Sequence, residues 1–362
     1  MTAIITGLGT ASPKHRIDLA NATKVAEQMS CSEPSQARKV EALYRRSGVS
    51  TRGSVLLEDP VSQSFYPALE SADDRGPSTN CRSQRYQHEA PILATESAKQ
   101  ALQASGTAAA DITHLVTVSC TGFSAPGVDI ELIDNLGLQT TTERVQVGFM
   151  GCHGAINGLR AARGLVAADP TAKVLMCSVE LCSLHYQYGF DADRIVSGAL
   201  FADGSASLII ENDGDTTKPT ASLGRIAATG SCLVPNSRDA MTWKIGNHGY
   251  EMTLAATVPT LIENQLSSFL EAWLAKQNLT FDKIGGWAVH PGGSRILGAV
   301  EKALDLDPSC LATSREVLAE HGNMSSATML FILERFARSS KPKPWLMLGF
   351  GPGLEIEVAL IH

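Results

Sequence analysis

The sequence has 362 residues, 44% of them hydrophobic and 19% charged, an ordinary globular composition that can supply a large core. The formal net charge of −7 gives no overall cationic field, so general nucleic-acid binding is not expected. The N-terminal stretch MTAIITGLGTASP lacks the segments of a signal peptide and predicts a buried strand. No apolar run approaches the ~18 residues of a membrane span. Eight scattered cysteines form no disulfide or metal framework, so we expect a cytoplasmic protein with reduced thiols.

Helices and short strands alternate in the first half of the chain. Helical periodicity covers EAPILATESAKQALQASG and stops at Gly106, and the β-type run HLVTVSC follows. The run RVQVGFMG then leads into a predicted helix from Gly154 to Ala168, ended by Asp169 and Pro170. The strands KVLMCSVE and ASLIIE complete this half.

The second half repeats this layout. The long helix LAATVPTLIENQLSSFLEAWLAKQ precedes the strand GGWAVH, and another helix follows. The helical segment HGNMSSATMLFILERFA and the strands PWLMLGF and LEIEVALI come last. Short apolar strands alternating with helices predict an α/β fold with a buried, largely parallel sheet covered by helices.

Two internal similarities indicate a duplication. Cys152 and Asn323 each follow a glycine at the start of a predicted helix of about four turns. FADGSASLIIE and GFGPGLEIEVA each place a glycine-rich loop before a strand. Because the polar stretch NDGDTTKPT lies between the repeats, we expect two related halves, residues 1–215 and 216–362. A pseudo-twofold axis would bring the two helix starts together.

Cys152 lies in GFMGCHG, between two glycines where an apolar run meets a predicted helix. A helix N-terminus presents unpaired N–H groups and the positive end of the helix dipole, and both favour the reactive thiolate. The glycines allow a tight turn and a close approach of substrate. A lone cysteine is more often an inert core residue, so this feature alone does not define a site.

Two further polar residues stand at glycine-marked turns. His290 ends the apolar strand of WAVHPGG, at the edge where α/β sheets bind ligands, and beside Cys152 it would form a thiolate–imidazolium pair. Asn323 in EHGNMSSAT would supply a second oxyanion donor. The structural alternatives are a buried histidine without a catalytic role and a helix N-cap. Together the three residues favour a cysteine acyl-transfer site.

Four segments resemble those of the chalcone-synthase-like family, the type III polyketide synthases: GFMGCHGAINGLRAA, WAVHPGGSRIL, EHGNMSSATMLFILE and LGFGPGLEIE. Within that family, the chain resembles the bacterial alkylpyrone and alkylresorcinol synthases. The order and spacing of the four segments match from about residue 4 to residue 360. The resemblance implies a thiolase-like fold, duplicated in five αβαβα layers, and a homodimer. It also implies a catalytic triad, matched here by Cys152, His290 and Asn323.

The resemblance further implies the reaction. Cys152 would take an acyl group from a CoA thioester with the help of His290. His290 and Asn323 would then hold the carbonyl of malonyl-CoA while CO2 is lost. The resulting enolate would attack the Cys152 thioester in a decarboxylative Claisen condensation, followed by ring closure to a pyrone, a resorcinol or another phenol. Acyl-CoA and malonyl-CoA are the expected substrates, with no metal and no other cofactor.

The family has two phenylalanines at the mouth of its site. Phe201 in GALFADG matches the first, whereas Met252 replaces the second and either softens the wall or fills the core. Alignment of SCTGFSAPG, SVELCSLHY and GNMSS with the family adds the cavity residues Cys120, Thr121, Ala125, Cys182 and Ser325. Plant-type enzymes carry at the position of Ala125 a methionine that reaches across the dimer. The small side chains predict a tunnel and a long aliphatic starter, since each buried methylene contributes about 0.8 kcal/mol.

A basic helical face is predicted in QARKVEALYRRSG. Lys39 and Arg46 are seven residues apart, and the resemblance assigns both to CoA phosphates, although the family's intermediate basic position is Ala42 here. Arg295, shortly after HPGG, would line the entrance. The alternative is an ordinary solvated charged face.

Two other functions stay open on the sequence. A ketoacyl synthase that uses an acyl carrier protein shares the fold and the triad but normally lacks GFGPG at this point. A non-catalytic scaffold relative need not retain all three polar groups. Release of CO2 from malonyl-CoA would separate an enzyme from a scaffold.

Overall fold

The computed structural model describes residues 2–71, 73–214 and 222–362. The strands are β1 (Ala3–Ala11), β2 (Arg16–Asp18), β3 (Thr51–Gly53), β4 (His114–Ser119), β5 (Glu143–Gly148), β6 (Val174–Leu181), β7 (Asp203–Asn212), β8 (Gly224–Leu233), β9 (Met241–Gly246), β10 (Gly249–Leu254), β11 (Gly286–Val289), β12 (Trp345–Gly351) and β13 (Glu355–Ile361). The helices are α1 (Leu19–Ser30), α2 (Pro34–Arg46), α3 (Thr79–Ser105), α4 (Val128–Leu136), α5 (Gly154–Ala168), α6 (Ala192–Leu200), α7 (Val258–Ala275), α8 (Ser294–Leu304), α9 (Ala312–His321) and α10 (Thr328–Arg338). The predicted boundary between residues 215 and 216 lies outside the described residues. None of the helices in the described ranges is long and apolar enough to cross a membrane.

Within the described residues, nine strands form one sheet in the order β11-β12-β13-β8-β1-β7-β6-β4-β5. The pairs β4–β5, β4–β6 and β11–β12 are parallel. The five pairs between β6 and β12 across the centre are antiparallel. The prediction of a largely parallel sheet was therefore wrong. A strand that is buried on both faces has the same apolar composition in either arrangement.

Three apolar clusters arrange these elements in five layers. Helices α5 and α10 lie between the two halves of the sheet, where Leu159 and Phe331 share a cluster with Met176 and Met347. Helices α3 and α4 cover the outer face of the first half, and α7 and α8 cover that of the second. This confirms the duplicated αβαβα architecture. The layers also place the starts of α5 and α10 side by side at the centre.

The central helices begin differently. Helix α5 has the predicted bounds, and Asp169 is its C-cap. Helix α10 has eleven residues, fewer than the four turns expected, because a 3₁₀ turn at Ser325–Ala327 precedes it. On the outside, α3 ends at the predicted Gly106 but begins at Thr79, ten residues before the apolar periodicity is evident.

The central layer makes a stability prediction. Leu159 is fully buried in the shared cluster, so Leu159→Ala should lower the free energy of unfolding by about 2–5 kcal/mol through lost contacts and a residual cavity. Urea unfolding followed by circular dichroism measures the change. Leu233→Ala is the matched control, since Leu233 is 67% exposed and its loss should have little effect. Equal destabilisation by both variants would contradict the layer assignment.

Candidate active site

Cys152 lies in the 3₁₀ turn Gly151–His153, which links β5 to α5. Gly151 has a φ of 77°, and a Cβ atom there would lie 2.5 Å from Cδ of Pro352. A side chain at position 151 would therefore be both strained and blocked. Pro352 directly follows β12, so a loop of the second half of the chain holds the turn that carries the cysteine.

A buried polar network lies under the same turn. His153 is fully buried, its Nδ1 lies 2.8 Å from Oδ1 of Asn157, and its Nε2 lies 3.4 Å from a carboxylate oxygen of Glu355. Asn157 Nδ2 donates to Glu357 at 3.1 Å, and Arg160 forms an ion pair with the same carboxylate. Both glutamates belong to β13. The cysteine turn is thereby tied to the last strand of the fold.

Asn323 lies between α9 and the Ser325–Ala327 turn and is 1% exposed. Its N–H donates to the Leu200 carbonyl at 2.8 Å, and its carbonyl accepts from the Ala202 N–H at 2.9 Å. Its Oδ1 accepts from the Ser325 N–H at 2.8 Å. The side chains of Asn323 and Ser325 lie close enough to Cys152 to lower the pKa of its thiol, against the effect of burial. The two halves of the fold thus bring the predicted residues Cys152 and Asn323 together.

His290 directly follows β11, and its N–H donates to the Leu348 carbonyl at 2.8 Å. The side chain is 1% exposed, yet neither ring nitrogen has a hydrogen-bond partner within the described ranges. Burial lowers the pKa of His290 to about 3, with a further contribution from the charge of His153. The imidazole is therefore neutral at physiological pH, with both nitrogens left over for an incoming group.

The protonation of the cysteine differs from the sequence-based expectation. Burial raises the pKa of Cys152 to about 12; the hydrogen bonds from Ser325 and Asn323 oppose this rise, and the charge of Glu180 adds to it. Burial thus disfavours the charged form of each side chain in the free chain, whereas the sequence predicted a thiolate–imidazolium pair. The physical reason is desolvation, which penalises the charged form of each group.

A cavity of about 520 Å³, here called the catalytic cavity, brings together seven of the predicted residues. They are Cys120, Thr121, Cys152, Cys182, Phe201, Met252 and Ser325. Sequence reasoning missed Trp243, which also lines this cavity and donates its indole N–H to the Cys120 carbonyl at 2.7 Å. Met252 pairs with Trp243 across the β9–β10 hairpin. Met252 therefore forms part of the wall, in agreement with the first of its two interpretations.

Glu180 is a further residue that sequence reasoning missed. It is fully buried on β6 and accepts from the Cys120 N–H at 3.0 Å, from the Thr121 hydroxyl at 2.7 Å and from the Ser326 hydroxyl at short distance. Burial raises the pKa of Glu180. The carboxylate joins the cavity wall of the first half to the turn beside Asn323. A single acid in the apolar run KVLMCSVE was the available signal.

The other six predicted residues are not among the residues that line this cavity in the described chain. His290 and Asn323, described above, are two of them. Ala125 is exposed in the loop between β4 and α4. Lys39 and Arg46 are exposed on α2, and Arg295 is exposed in the first turn of α8. The Ser294 hydroxyl lies 3.5 Å from the Arg46 carbonyl. Arg46 and Arg295 therefore share one surface, with Lys39 about two turns away along α2.

A second cavity, of about 610 Å³, lies between α1, α2 and α6. Ala26, Tyr44, Arg52 and Ile195 are among its lining residues, and Tyr186 lines both this cavity and the catalytic one. The Tyr186 hydroxyl donates to the Phe201 carbonyl at 3.0 Å. The two cavities are therefore neighbours that share one side chain as part of their walls.

Residues 1–214 match the family model "Chalcone and stilbene synthases, N-terminal domain", and residues 225–362 match its C-terminal counterpart. The chain is 34% identical to 1,3,6,8-tetrahydroxynaphthalene synthase of Streptomyces peucetius subsp. caesius, over 99% of this chain and 92% of that protein. It is 31% identical to the alpha-pyrone synthesis polyketide synthase-like Pks18 of Mycobacterium tuberculosis, over 98% of this chain and 90% of that protein. The crystal structure of PKS-I from the brown alga Ectocarpus siliculosus matches with a TM-score of 0.91 and 31% identity, over 100% of this chain and 98% of that chain.

The duplicated five-layer fold and the central cysteine turn define a thiolase-like condensing enzyme. More specifically, the chain belongs to the chalcone and stilbene synthase family, the type III polyketide synthases. Members of this family are acyltransferases that condense CoA-bound starters with malonyl-CoA. The family assignment replaces the ketoacyl synthase and scaffold alternatives.

The half-buried Cys152 thiol leads to a prediction about reactivity. Because burial raises the pKa of Cys152 to about 12, only the rare thiolate reacts at neutral pH, and its population grows tenfold per pH unit. Alkylation of Cys152 by iodoacetamide, followed by mass spectrometry of its peptide, should accelerate steadily from pH 7 to pH 10. His290→Gln should leave this profile almost unchanged. A plateau below pH 8.5 that disappears in His290→Gln would instead demonstrate an ion pair.

Proposed function

We propose that this chain loads a long aliphatic acyl group from CoA onto Cys152, extends it with malonyl-CoA, and closes the product to a pyrone, a resorcinol or another phenol. The observation that carries the proposal is the catalytic cavity, which places Cys152 among the small or flexible side chains of Cys120, Cys182 and Met252. Asn323 and Ser325 lie close enough to Cys152 to lower the pKa of its thiol. Similarity to an alpha-pyrone synthase-like protein supports the product class.

The loading step uses His290 as a base. Since burial keeps the imidazole neutral, it accepts the Cys152 proton while the sulfur attacks the acyl-CoA carbonyl. The new sulfur–carbon bond replaces the bond to CoA, and the departing CoA sulfur takes up the proton from the imidazolium. Both side chains are neutral before and after this transfer, so no isolated charge has to persist in the buried site.

The extension step uses His290 and Asn323 as hydrogen-bond donors. Their N–H groups point at the thioester carbonyl of malonyl-CoA, where negative charge develops as the carboxyl group leaves as CO2. The enolate carbon then attacks the carbonyl of the Cys152 thioester and displaces the sulfur. Asn323 is held by its backbone pairing with Phe201 and by the Ser325 N–H, so its amide needs no reorganisation during the reaction.

The starter preference rests on the wall of the catalytic cavity. Cys120 and Thr121 line the cavity, and the loop they begin continues to the exposed Ala125. The side chain at position 125 is a single methyl group and adds little bulk, so we place the far end of a long acyl chain beside it. Each additional buried methylene contributes about 0.8 kcal/mol, which selects for long chains over short ones.

A homodimer is the second part of the proposal. Strand β5 is the edge of the described sheet, and five of its six residues are exposed. Val145 within this strand and Phe123 in the preceding loop are exposed large apolar side chains. The Phe123 ring contacts that of Phe149, which directly follows β5. An unpaired strand edge with apolar neighbours is suited to pairing with a second copy. Such pairing would bring Ala125 of each copy to the interface.

CoA is assigned to the surface formed by the ends of α2 and α8. Lys39, Arg46 and Arg295 are all exposed there, whereas Arg45 is engaged by Glu41 at 2.7 Å. Arg46 and Arg295 share this surface and Lys39 lies about two turns away along α2, so the three cations could contact different phosphates of CoA. The chain's net charge of −7 makes this local basic surface a specific feature rather than a general one.

Variants of two cysteines in the catalytic cavity test the assignment of Cys152 as the nucleophile. Cys152→Ala should abolish polyketide formation from acyl-CoA and malonyl-CoA, a loss of at least 1000-fold, because no other thiol lies at the turn. CO2 release from malonyl-CoA should persist, since His290 and Asn323 are retained. Cys182→Ala, in the same cavity, is the control and should keep most condensation. The products are identified by mass spectrometry. Abundant polyketide from Cys152→Ala would refute the assignment of Cys152 as the nucleophile.

The tunnel is tested by competition between hexanoyl-CoA and palmitoyl-CoA. Ala125→Met adds bulk at an exposed position, so it should reduce palmitoyl use at least tenfold and spare hexanoyl use. Ala26→Leu fills the second cavity and should leave the preference unchanged. Equal losses for both starters in Ala125→Met, or refusal of palmitoyl-CoA by the unaltered enzyme, would rule out the tunnel. If only Ala26→Leu changed the preference between the two starters, the acyl chain would instead extend past Tyr186 into the second cavity.

A further inference from the structure

The second cavity contains a buried cation. Arg52 of β3 is 4% exposed and lines the cavity. Its Nη1 donates to the Gly198 carbonyl at 2.5 Å and to the Phe201 carbonyl at 3.3 Å. In the described ranges, no carboxylate oxygen lies within ion-pair distance of this guanidinium. Arginine remains charged under all ordinary conditions, so a full positive charge is buried here without an ionic partner.

The acid that acts on Arg52 electrostatically is Asp203, and its oxygens are already used. They accept from the Val55 N–H at 2.8 Å and from the N–H and hydroxyl of Ser183 at 2.8 and 2.6 Å. Burial also raises the pKa of Asp203 to about 6. Asp203 therefore compensates the charge of Arg52 incompletely, and the compensation falls further as the pH approaches 6.

Aromatic rings surround the guanidinium on the protein side. Its carbon lies 5.6 Å from the centre of the Tyr44 ring and 5.4 Å from that of Tyr186. The aromatic faces hold the cation by their quadrupoles without neutralising it. Arg194 of α6 also lines the cavity, and no Asp or Glu is among the lining residues in the described part of the chain. Two arginines facing one cavity without an acid constitute a site complementary to an anion.

The rest of the cavity wall is aliphatic. Its lining includes Ala22, Val25, Ala26, Met29, Leu57 and Ile195. Four of these residues form the inner face of α1, and the small alanines leave the volume open. The volume of about 610 Å³ includes the opening of the cavity to solvent. An occupant that satisfies both ends needs an anionic head for the arginines and an apolar chain for α1.

We propose that the second cavity is a binding site for an aliphatic monocarboxylate, whose carboxylate pairs with Arg52 and whose chain lies against α1. A carboxylate accepts two parallel N–H bonds from a guanidinium, and its burial compensates a charge that the fold leaves unpaired. The site is distinct from the catalytic cavity, although Tyr186 borders both. It binds a free acid rather than a thioester, because the arginines require a charged head. Its occupation does not depend on condensation at Cys152.

Equilibrium dialysis with radiolabelled decanoate at pH 7.5, without any CoA ester, tests the site. We expect one decanoate per chain, bound at least tenfold more tightly than decanol, which has the chain but not the charge. Ala26→Leu narrows the second cavity and should weaken decanoate binding at least tenfold. Arg52→Gln should also weaken decanoate binding at least tenfold. If that variant fails to fold, the result for Ala26→Leu tests the proposal. Cys182→Leu narrows the catalytic cavity and should leave binding unchanged.

Three results would overturn the proposal. The first is the absence of decanoate binding, and the second is equal binding of decanol, which would remove the role of the arginines. The third is loss of binding in Cys182→Leu with retention in Ala26→Leu, which would place decanoate in the catalytic cavity. Condensation activity is measured on the same preparations, so that the decanoate site and the proposed reaction are tested separately. Protein that binds decanoate but forms no polyketide would refute only the proposed reaction.

Discussion

The burial of α5 and α10 between the two halves of the sheet is the constraint on which the rest of the structure depends. Both helices contribute to one apolar cluster that contains strands from both halves. Since neither half covers this face alone, the halves must meet, and they do so with the helix starts adjacent. Cys152 and Asn323 stand at those starts. The same hydrophobic contact that forms the core therefore brings these two residues of the candidate site together.

The interior that positions these groups also determines their charge. Burial raises the pKa of Cys152 and lowers that of His290, so the free site holds two neutral groups. Two neutral groups leave no unpaired charge in the interior. Arg52 shows the opposite case, because its charge cannot be removed by a change of protonation and has to be compensated by its surroundings.

Local features were predicted correctly where a residue type occurs at a position for a single physical reason. Glycines marked the cysteine turn, and Gly154–Ala168 was predicted with its observed bounds. Strand direction could not be predicted, because β6 is buried on both faces and looks the same in either pairing. Trp243 reaches the cavity from a separate two-stranded sheet, and no local pattern fixes that placement. The protonation state of Cys152 depends on burial by segments that are distant in the sequence. The effect of this burial on the pKa exceeds that of the helix N-terminus, which is the only one of the two visible in the sequence.

The network beneath the cysteine turn has a consequence for the order in which the molecule can mature. His153 and Arg160, near the middle of the chain, are held by Glu355 and Glu357 of β13. Ribosomal synthesis proceeds from the N-terminus, and early segments begin to fold while later ones are still being made. The outer helices and strands of the first half can therefore pack early, but the turn that carries Cys152 lacks its lower support until β13 has emerged. The surroundings of Cys152 are thus completed only when the last strand of the fold has been made and has packed.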